Sequence, residues 1–259
     1  MIGRTKLHAV LTVLLAVFAG GATAAPADEL VLVAGATGGT GQQLVAQLQA
    51  QGFGVRALVR DAASAAEKLG PEVELIVADV REPASLVPAF DGVTRVISVI
   101  GAGEKAGANS PEQVDYLGNK NLIEAAVEAR VKQFVLVSSM GVTHEDHVLN
   151  RIFGNVLIWK MQAEETLRAS GIAYTVVRPG GLHDKPGGEQ KIVFEQIDKV
   201  KSVSIARADL AAICVAALAY PEARNKTFEA FTIKQPPDAD WQAKFAALDA
   251  TVMVPVAGL

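Results

Sequence analysis

The sequence predicts a single α/β domain built on a doubly wound parallel sheet, and three observations favour this fold class. Apolar runs of strand length alternate with stretches of helical spacing along most of the 259 residues. A glycine-rich turn at residues 35–41 follows the first apolar run. Half of the chain is hydrophobic, which supplies a sizeable core. Strands that alternate with helices in this way pair in parallel through right-handed crossovers.

The first strand and the turn after it are the region around which the other elements are arranged. Residues 30–34 are all apolar, as expected of a central strand covered on both faces. Gly35, Gly38 and Gly41 follow with GxxGxxG spacing. The first permits a tight turn, the second lets backbone approach a pyrophosphate, and the third lets helix and strand pack closely. With the free N–H groups of the new helix, the turn predicts a dinucleotide site, an ordinary glycine-rich turn being the alternative.

The remaining elements follow at regular intervals. Strands are predicted at residues 55–59, 73–78, 95–100, 134–138, 174–177 and 227–233, and helices at 40–51, 113–130, 155–170, 208–220 and 241–248. Residues 183–190 are rich in glycine and proline, and we expect them to form a loop over the open end of the sheet, where substrate enters. Residues 182–259 are therefore expected to supply most of the substrate side.

The N-terminal segment predicts export. Arg4 and Lys6 precede an apolar run at residues 7–19, and small residues follow it. This pattern is typical of a secretory signal peptide, here residues 1–24, which leaves 25–259 as the folded domain. We expect an exported, periplasmic protein without a stable membrane domain. An uncleaved membrane anchor or a cytoplasmic location is the alternative.

Charge and cysteine content narrow the class of partner. The net charge of −4, without a cluster of basic residues, argues against nucleic acid and leaves a small molecule as the expected substrate. Cys214, the only cysteine in the chain, lies in an apolar helical run and is expected to be a core residue. His144 and His147 flank two acidic residues, but a polar loop explains them better than a metal site. We therefore expect no metal.

The ends of the next strands predict where the rest of a dinucleotide would lie. Arg60 ends the second strand, where an arginine selects the 2′-phosphate of NADP over the ribose hydroxyls of NAD. The alternative is a solvated charge at Arg60, with Asp61 as the discriminating residue. Asp79 and Val80 follow the third strand and are expected at the adenine edge, a turn cap being the alternative for Asp79. Gly101 opens the loop after the fourth strand.

These features stand in the order of a known family. With Ser138-Ser139 and Arg178-Pro179-Gly180 after the fifth and sixth strands, the chain resembles the atypical short-chain dehydrogenase/reductases, in particular their NAD(P)H-binding branch of NmrA-like and flavin/biliverdin reductase-like proteins. The resemblance covers residues 30–233 and implies a Rossmann-like fold with NADP(H), or alternatively NAD(H), as the cofactor. The predicted cofactor-binding residues are Gly35, Thr37, Gly38, Gly39, Thr40, Gly41, Arg60, Asp79, Val80, Gly101, Ser138, Lys160, Arg178 and Pro179.

The catalytic pattern of that family is present only in part. Its catalytic members carry a Tyr four residues before a Lys on the helix after the fifth strand, where the Lys lowers the tyrosine pKa for proton exchange with substrate. Here Lys160 is present, but Val156 replaces the tyrosine. We expect Ser138 or Ser139 to bind a substrate carbonyl and Lys160 to hold the nicotinamide ribose. Tyr116, which precedes a lysine at the same spacing on the preceding helix, is a further candidate.

Three functions follow from this pattern. The sequence favours an NADP-preferring reductase that transfers hydride to a small carbonyl, quinone or flavin-like substrate, since flavin/biliverdin reductase-like members work without the tyrosine. A protein that senses or scaffolds through NADP(H) without turnover is the alternative, because Val156 removes the usual acid. Sugar-nucleotide epimerisation is the third, and the missing tyrosine weakens it most because that chemistry needs a base.

Overall fold

The structure, a computed structural model, describes residues 29–196, 198, 202–238 and 240–250. The predicted signal peptide at residues 1–24 lies outside this range. Within the described residues, no helix combines the length and apolar composition needed to cross a bilayer.

Strands of the described chain form one large sheet and one small one. They are β1 (Leu30–Ala34), β2 (Gly54–Val59), β3 (Glu74–Val77), β4 (Arg95–Ser98), β5 (Gln133–Val137), β6 (Tyr174–Pro179), β7 (Gly181–His183), β8 (Lys191–Glu195), β9 (Ser204–Ala206) and β10 (Lys226–Ile233). The large sheet has the order β3-β2-β1-β4-β5-β6-β10-β8, and β7 pairs with β9. All neighbours in the large sheet are parallel except β8, which runs antiparallel to β10. The predicted doubly wound α/β class, with a Rossmann-like sheet, is confirmed.

Helices cover both faces of this sheet. They are α1 (Gly39–Ala50), α2 (Ala62–Leu69), α3 (Pro83–Leu86), α4 (Asn119–Glu128), α5 (Val148–Ile152), α6 (Val156–Ala169), α7 (Arg207–Ala219) and α8 (Trp241–Ala246), with 3₁₀ turns at Val87–Phe90 and Pro221–Ala223 and a π-helical segment at Glu112–Gly118. α1 and α7 pack on one face, and α4 and α6 pack on the other.

β1 shows why the core has two layers. Val31 and Val33 face the layer under α1 and α7, whereas Leu32 and Ala34 face the layer under α4 and α6. Successive side chains of a strand point to opposite faces, so a central strand must be apolar throughout. Cys214 is buried in the first layer, as predicted, and burial raises its thiol pKa to about 12.

The register of the central strands positions the site. Ala34 at the end of β1 pairs with Leu58 of β2 on one side and with Ser98 of β4 on the other. The glycine turn, Arg60 and the loop after β4 therefore emerge side by side at the carboxyl edge of the sheet, where doubly wound folds bind ligands.

The amino edge of the sheet is closed by a buried ion cluster. Arg95 pairs with Glu29 through its guanidinium and also donates to Gln133 Oε1 at 3.0 Å and Leu218 O at 2.9 Å. Lys132 Nζ lies 3.0 Å from Glu29 Oε1. Burial opposes ionisation of Glu29, but the hydrogen bonds from Arg95 and Lys132 outweigh it and hold the Glu29 pKa below its usual value.

Candidate cofactor and substrate site

The glycine turn joins β1 to α1 at two positions that need glycine. Gly35 has a φ of 88°, and a Cβ there would lie 2.9 Å from the Val99 backbone. A Cβ on Gly41 would lie 2.7 Å from the backbone of Ala36, so only glycine lets α1 pack this closely on the turn. Gly35 thus makes a tight turn in the left-handed region, and Gly41 lets α1 pack closely on the backbone of Ala36.

The amino end of α1 is open to a ligand. Gly38 is its N-cap and contributes no side chain, and among the described residues no side chain caps the helix. Its first turn, which contains the buried Thr40, carries no acidic residue. The unpaired N–H groups of that turn and the helix dipole suit an anion such as pyrophosphate. Thr37 bounds the turn, and its carbonyl accepts from Gln42 Nε2 at 3.0 Å.

Two arginines meet at the ends of β2 and β3. Arg60 is exposed and donates from Nη1 to Asn109 Oδ1 at 3.3 Å, and Arg81 Nη1 donates to the same oxygen at 3.3 Å. Arg81 also donates to Asp79 through Nε at 2.9 Å, and these hydrogen bonds hold the Asp79 pKa below its usual range. Arg81 was not among the residues predicted from the sequence. Its position in the sequence could have pointed to it, because it follows Asp79 by two residues and so lies at the same sheet edge as Arg60.

Val80 and Gly101 both lie close to the π-helical segment. A Cβ on Gly118 would lie 2.8 Å from Val80 Cγ2, so Val80 packs against the end of that segment. Its carbonyl accepts from Asn121 Nδ2 at 2.8 Å. Gly101 is exposed, and a Cβ there would lie 3.7 Å from Asp115 Oδ1.

Lys160 lines a cavity of about 510 Å³ between the loop after β4 and the start of α6. Its Nζ lies 2.7 Å from Oδ1 of the fully buried Asp115, whose Oδ2 accepts from the Ala102 N–H at 2.9 Å. Asp115 lies in the π-helical segment, a distortion frequent at functional sites. Asp115 was not among the residues predicted from the sequence, because its pairing with Lys160 joins two elements distant in the chain.

The wall of this cavity opposite the β4 loop is apolar. It is formed by Leu149, Ile152, Phe153, Val156 and Leu157. Ile152 and Phe153 keep 52% and 51% of their surface exposed. Exposed large apolar side chains grouped around a cavity indicate a ligand with an apolar surface. Val156, where the family's catalytic members carry tyrosine, thus faces the same space as Lys160.

The two serines after β5 have different surroundings. Ser139 lines the cavity, and its Oγ donates to Met140 O at 3.0 Å. The Ser138 hydroxyl is buried in the interior. Successive residues of an extended chain point in opposite directions, which explains the difference. Of the two expected serines, Ser139 can reach a substrate in this cavity.

Arg178 belongs to a buried ion cluster. Its guanidinium donates to Glu164 at 3.0 and 2.7 Å and to Glu229 at 3.3 Å. Burial opposes the Glu164 charge, but Arg178 outweighs it and lowers the Glu164 pKa. The prediction that the Arg178 side chain contacts the cofactor is therefore corrected, because this side chain is buried and paired with Glu164 and Glu229. Pro179, also buried, accepts from the Met140 N–H at 3.0 Å.

Tyr116 lies outside the cavity lining. Its ring stacks on Trp159, with centroids 5.8 Å apart and an angle of 15° between the planes. The aromatic pair fixes the π-helical segment against α6.

The glycine- and proline-rich loop lies apart from Lys160. Residues 183, 185, 186, 189 and 190 line a different cavity of about 290 Å³, whereas every lining residue of the first cavity falls between Ala102 and Lys160. Strand pairing explains why this loop lines a separate cavity, because β7 pairs with β9 and β8 pairs with β10 at the edge of the large sheet. The described residues after 182 therefore line a cavity separate from that of Lys160, and their place on the substrate side stays a prediction.

The comparisons with known proteins agree with this geometry. A model of the NAD(P)H-binding family matches residues 35–221, beginning at the first glycine of the turn. The chain belongs to this NAD(P)H-binding family. It is 36% identical over 239 residues to sanguinarine reductase from Eschscholzia californica, covering 77% of this chain and 87% of the relative.

Two solved structures of this fold are similar over most of the chain. The putative NAD-dependent epimerase/dehydratase from Bacillus halodurans has a TM-score of 0.74 at 27% identity, covering 85% of this chain and 100% of that one. ChuY, an anaerobillin reductase from Escherichia coli O157:H7, has a TM-score of 0.68 at 25% identity, covering 81% and 100%. The chain is thus an NAD(P)H-binding domain whose similar proteins include reductases.

Proposed function

We propose that this protein is an NADP(H)-dependent reductase that delivers hydride to a flat apolar electrophile, of the quinone, flavin-like or small carbonyl class. The observation that carries the proposal is Lys160, held by buried Asp115 in the wall of a largely apolar cavity. A fixed ammonium group beside an apolar surface can orient the ribose of a dinucleotide while the apolar wall holds the substrate.

The residues that would hold the cofactor are those of the carboxyl edge. The N–H groups at the start of α1 would bind its pyrophosphate, and Gly35 and Gly41 keep that turn clear of side chains. When bound, NADPH supplies the hydride that is transferred.

Within the cavity, the chain's own residues orient the cofactor and the substrate and do not protonate the substrate. Lys160 would donate to the nicotinamide ribose, and the Ser139 hydroxyl would donate its hydrogen to a substrate oxygen instead of to Met140 O. Val156 carries no exchangeable proton, so the proton that completes reduction comes from solvent. This favours quinone- or flavin-like acceptors, whose reduced forms are stabilised by delocalisation, over simple ketones.

Turnover tests this assignment. The protein is assayed with NADPH and a panel of quinones, flavins and aldehydes, together with Lys160→Ala and the control Lys120→Ala, whose lysine lies in an exposed pair with Glu124. We expect Lys160→Ala to lower kcat/KM by about 100-fold, the scale of losing one oriented contact in the transition state. Equal activity of the two variants would contradict the role of Lys160.

We further propose a preference for NADP over NAD. Arg60 and Arg81 donate to one neutral oxygen of Asn109, and within the described chain only Arg81 of the two has a carboxylate partner. A 2′-phosphate supplies the anion that two converging guanidinium groups favour. By calorimetry, Arg60→Ala is expected to weaken NADPH binding by about 10- to 100-fold and to leave NADH binding unchanged. Equal wild-type affinity for the two dinucleotides would remove this role.

A second candidate function is NADP(H) sensing without turnover, and Val156 is the observation that favours it. A sensor is expected to bind NADPH tightly and to reduce none of the acceptors in the panel. The calorimetric binding measurement and the turnover assay therefore separate a sensor from a reductase.

We propose that the protein acts after export, on the basis of the basic and apolar pattern of residues 1–24. Fractionation of cells followed by N-terminal sequencing tests this. A mature chain that starts near Ala25 in the periplasmic fraction supports export, and a chain that retains Met1 in the cytoplasm contradicts it.

A further inference from the structure

Arg207, the first residue of α7, lies against the glycine turn. A Cβ placed on Gly39 would lie 2.8 Å from Arg207 Cδ and 3.1 Å from Arg207 Nε, and its three nearest neighbours would all be Arg207 side-chain atoms. Gly39 is the first residue of α1 and lies outside the left-handed region. Glycine at this position therefore makes room for the arginine rather than for a turn.

Packing of the two helices fixes this approach. α1 and α7 share the same core layer, and Gln47 Nε2 of α1 donates to Ala208 O at 3.0 Å. The backbone beside Arg207 is thus hydrogen-bonded to α1, and this packing places the Arg207 side chain at the amino end of that helix.

The present partner of Arg207 is weakly bound. Nη1 donates to Asp184 Oδ1 at 2.9 Å, but the Asp184 side chain is 83% exposed, while that of Arg207 is 28% exposed. An ion pair this accessible to water contributes little, so a stronger anion can replace Asp184. The amino end of α1 is where such an anion would bind, because its N–H groups are uncapped and its first turn carries no carboxylate.

We propose that Arg207 is a pyrophosphate-binding residue that exchanges Asp184 for the diphosphate of the dinucleotide. The N–H groups of α1 and the Arg207 guanidinium would hold that diphosphate together. This inference rests on the cofactor site of the proposed function. It adds a charged contact from the C-terminal half of the chain that is common to NADP and NAD.

Calorimetric binding of NADPH and NADH to the full chain tests the proposal. Arg207→Gln is expected to weaken both dinucleotides by the same factor, about 10-fold, because both carry the pyrophosphate and a charge-assisted hydrogen bond is lost. Their affinity ratio stays at the wild-type value, unlike that of Arg60→Ala. The control Asp184→Asn frees the arginine and is expected to bind both dinucleotides at least as tightly as the wild type.

Gly39→Ala provides a second variant that leaves Arg207 in the chain. The added methyl group meets only the flexible end of the Arg207 side chain, so the helix remains intact while the guanidinium is displaced. We expect weaker binding of both dinucleotides in the wild-type background and no further loss in Arg207→Gln, since interacting residues are not additive. Additive losses would overturn the proposal.

The outcomes separate this inference from the proposed function. Wild-type binding together with unchanged binding by Arg207→Gln, or a loss for NADPH alone, overturns the role of Arg207 only. Absence of binding by the wild type overturns the cofactor site itself. A melting temperature of Arg207→Gln without ligand that equals the wild-type value, together with weaker binding of both dinucleotides, supports direct contact.

Discussion

Val156 determines which acids are available beside Lys160. The two residues are four positions apart on α6 and line the same cavity, so a side chain at position 156 lies one helical turn from the ammonium group. A tyrosine there would place a hydroxyl next to a cation, and the cation would lower its pKa. With valine there, position 156 offers no acid to the cavity, and the role proposed for Lys160 is to orient.

Val156→Tyr is therefore expected to create reductase activity toward simple ketones and aldehydes. A positioned general acid contributes about 10²- to 10⁴-fold, and an unrefined one should give at least about tenfold in kcat/KM with NADPH. The pH–rate profile should gain a limb from the new phenol. Val156→Phe is the matched control for bulk, and equal behaviour of the tyrosine and phenylalanine variants would refute the argument.

At the scale of elements, the π-helical segment and α6 form the frame of the cavity. The segment carries Asp115 inward to Lys160, and Tyr116 stacks on Trp159 of α6. A widened helical turn changes which residues point toward the neighbouring helix, so this distortion is what brings a buried carboxylate to the lysine. The pair therefore joins the π-helical segment to α6 beside the cavity, and in the proposed reductase it would also hold Lys160 in place.

Asp115→Asn is expected to destabilise the protein by about 2 kcal/mol in urea unfolding. Removing one partner of a buried pair costs about 3–5 kcal/mol, and the 16% exposure of the Lys160 side chain reduces that value. Glu124→Gln, which breaks the exposed pair with Lys120, is the control and should change stability by no measurable amount. Similar values for the two variants would show that Asp115 does not stabilise Lys160.

At the scale of the whole molecule, the two edges of the sheet have different tasks. The carboxyl edge carries the glycine turn, the arginines and the cavity. The amino edge is closed by the Glu29–Arg95 cluster, which ties β1 and β4 to the end of α7. The exposed Arg60 thus lies at the carboxyl edge, whereas the buried Glu29–Arg95 pair lies at the amino edge.

Stability should fall in acid in a way that depends on Glu29. The Glu29 pKa in the folded protein is lower than its usual value of 4.5. At a pH between these two values, the unfolded chain therefore binds more protons than the folded protein does. The stability it contributes is present above about pH 4.5 and is lost as the pH falls through the folded pKa. Glu29→Gln should lower the free energy of unfolding at pH 7 by about 2 kcal/mol, a loss that shrinks toward pH 3.

Urea unfolding of both proteins between pH 3 and pH 7 measures this difference. Comparing the two removes the contributions of other carboxyls, including Asp209 and Glu229, whose pKa values are raised by burial. A difference that is constant with pH would contradict the assignment.

The sequence by itself determined the features that depend on neighbours in the chain. Apolar runs predicted the parallel strands, glycine spacing predicted the turn at residues 35–41, and the apolar run around Cys214 predicted its burial. β8 was missed because a short edge strand is defined by its pairing with β10 rather than by its own pattern.

Only the tertiary structure decided which charged side chains meet. It committed Arg178 to Glu164 inside the protein, brought Arg81 beside Arg60, and joined Lys160 to Asp115. It also selected Ser139 rather than Ser138 for the cavity and delivered Arg207 to the glycine turn. These contacts join residues far apart in the chain, and their partners are set by how helices pack on the sheet, which local periodicity does not encode.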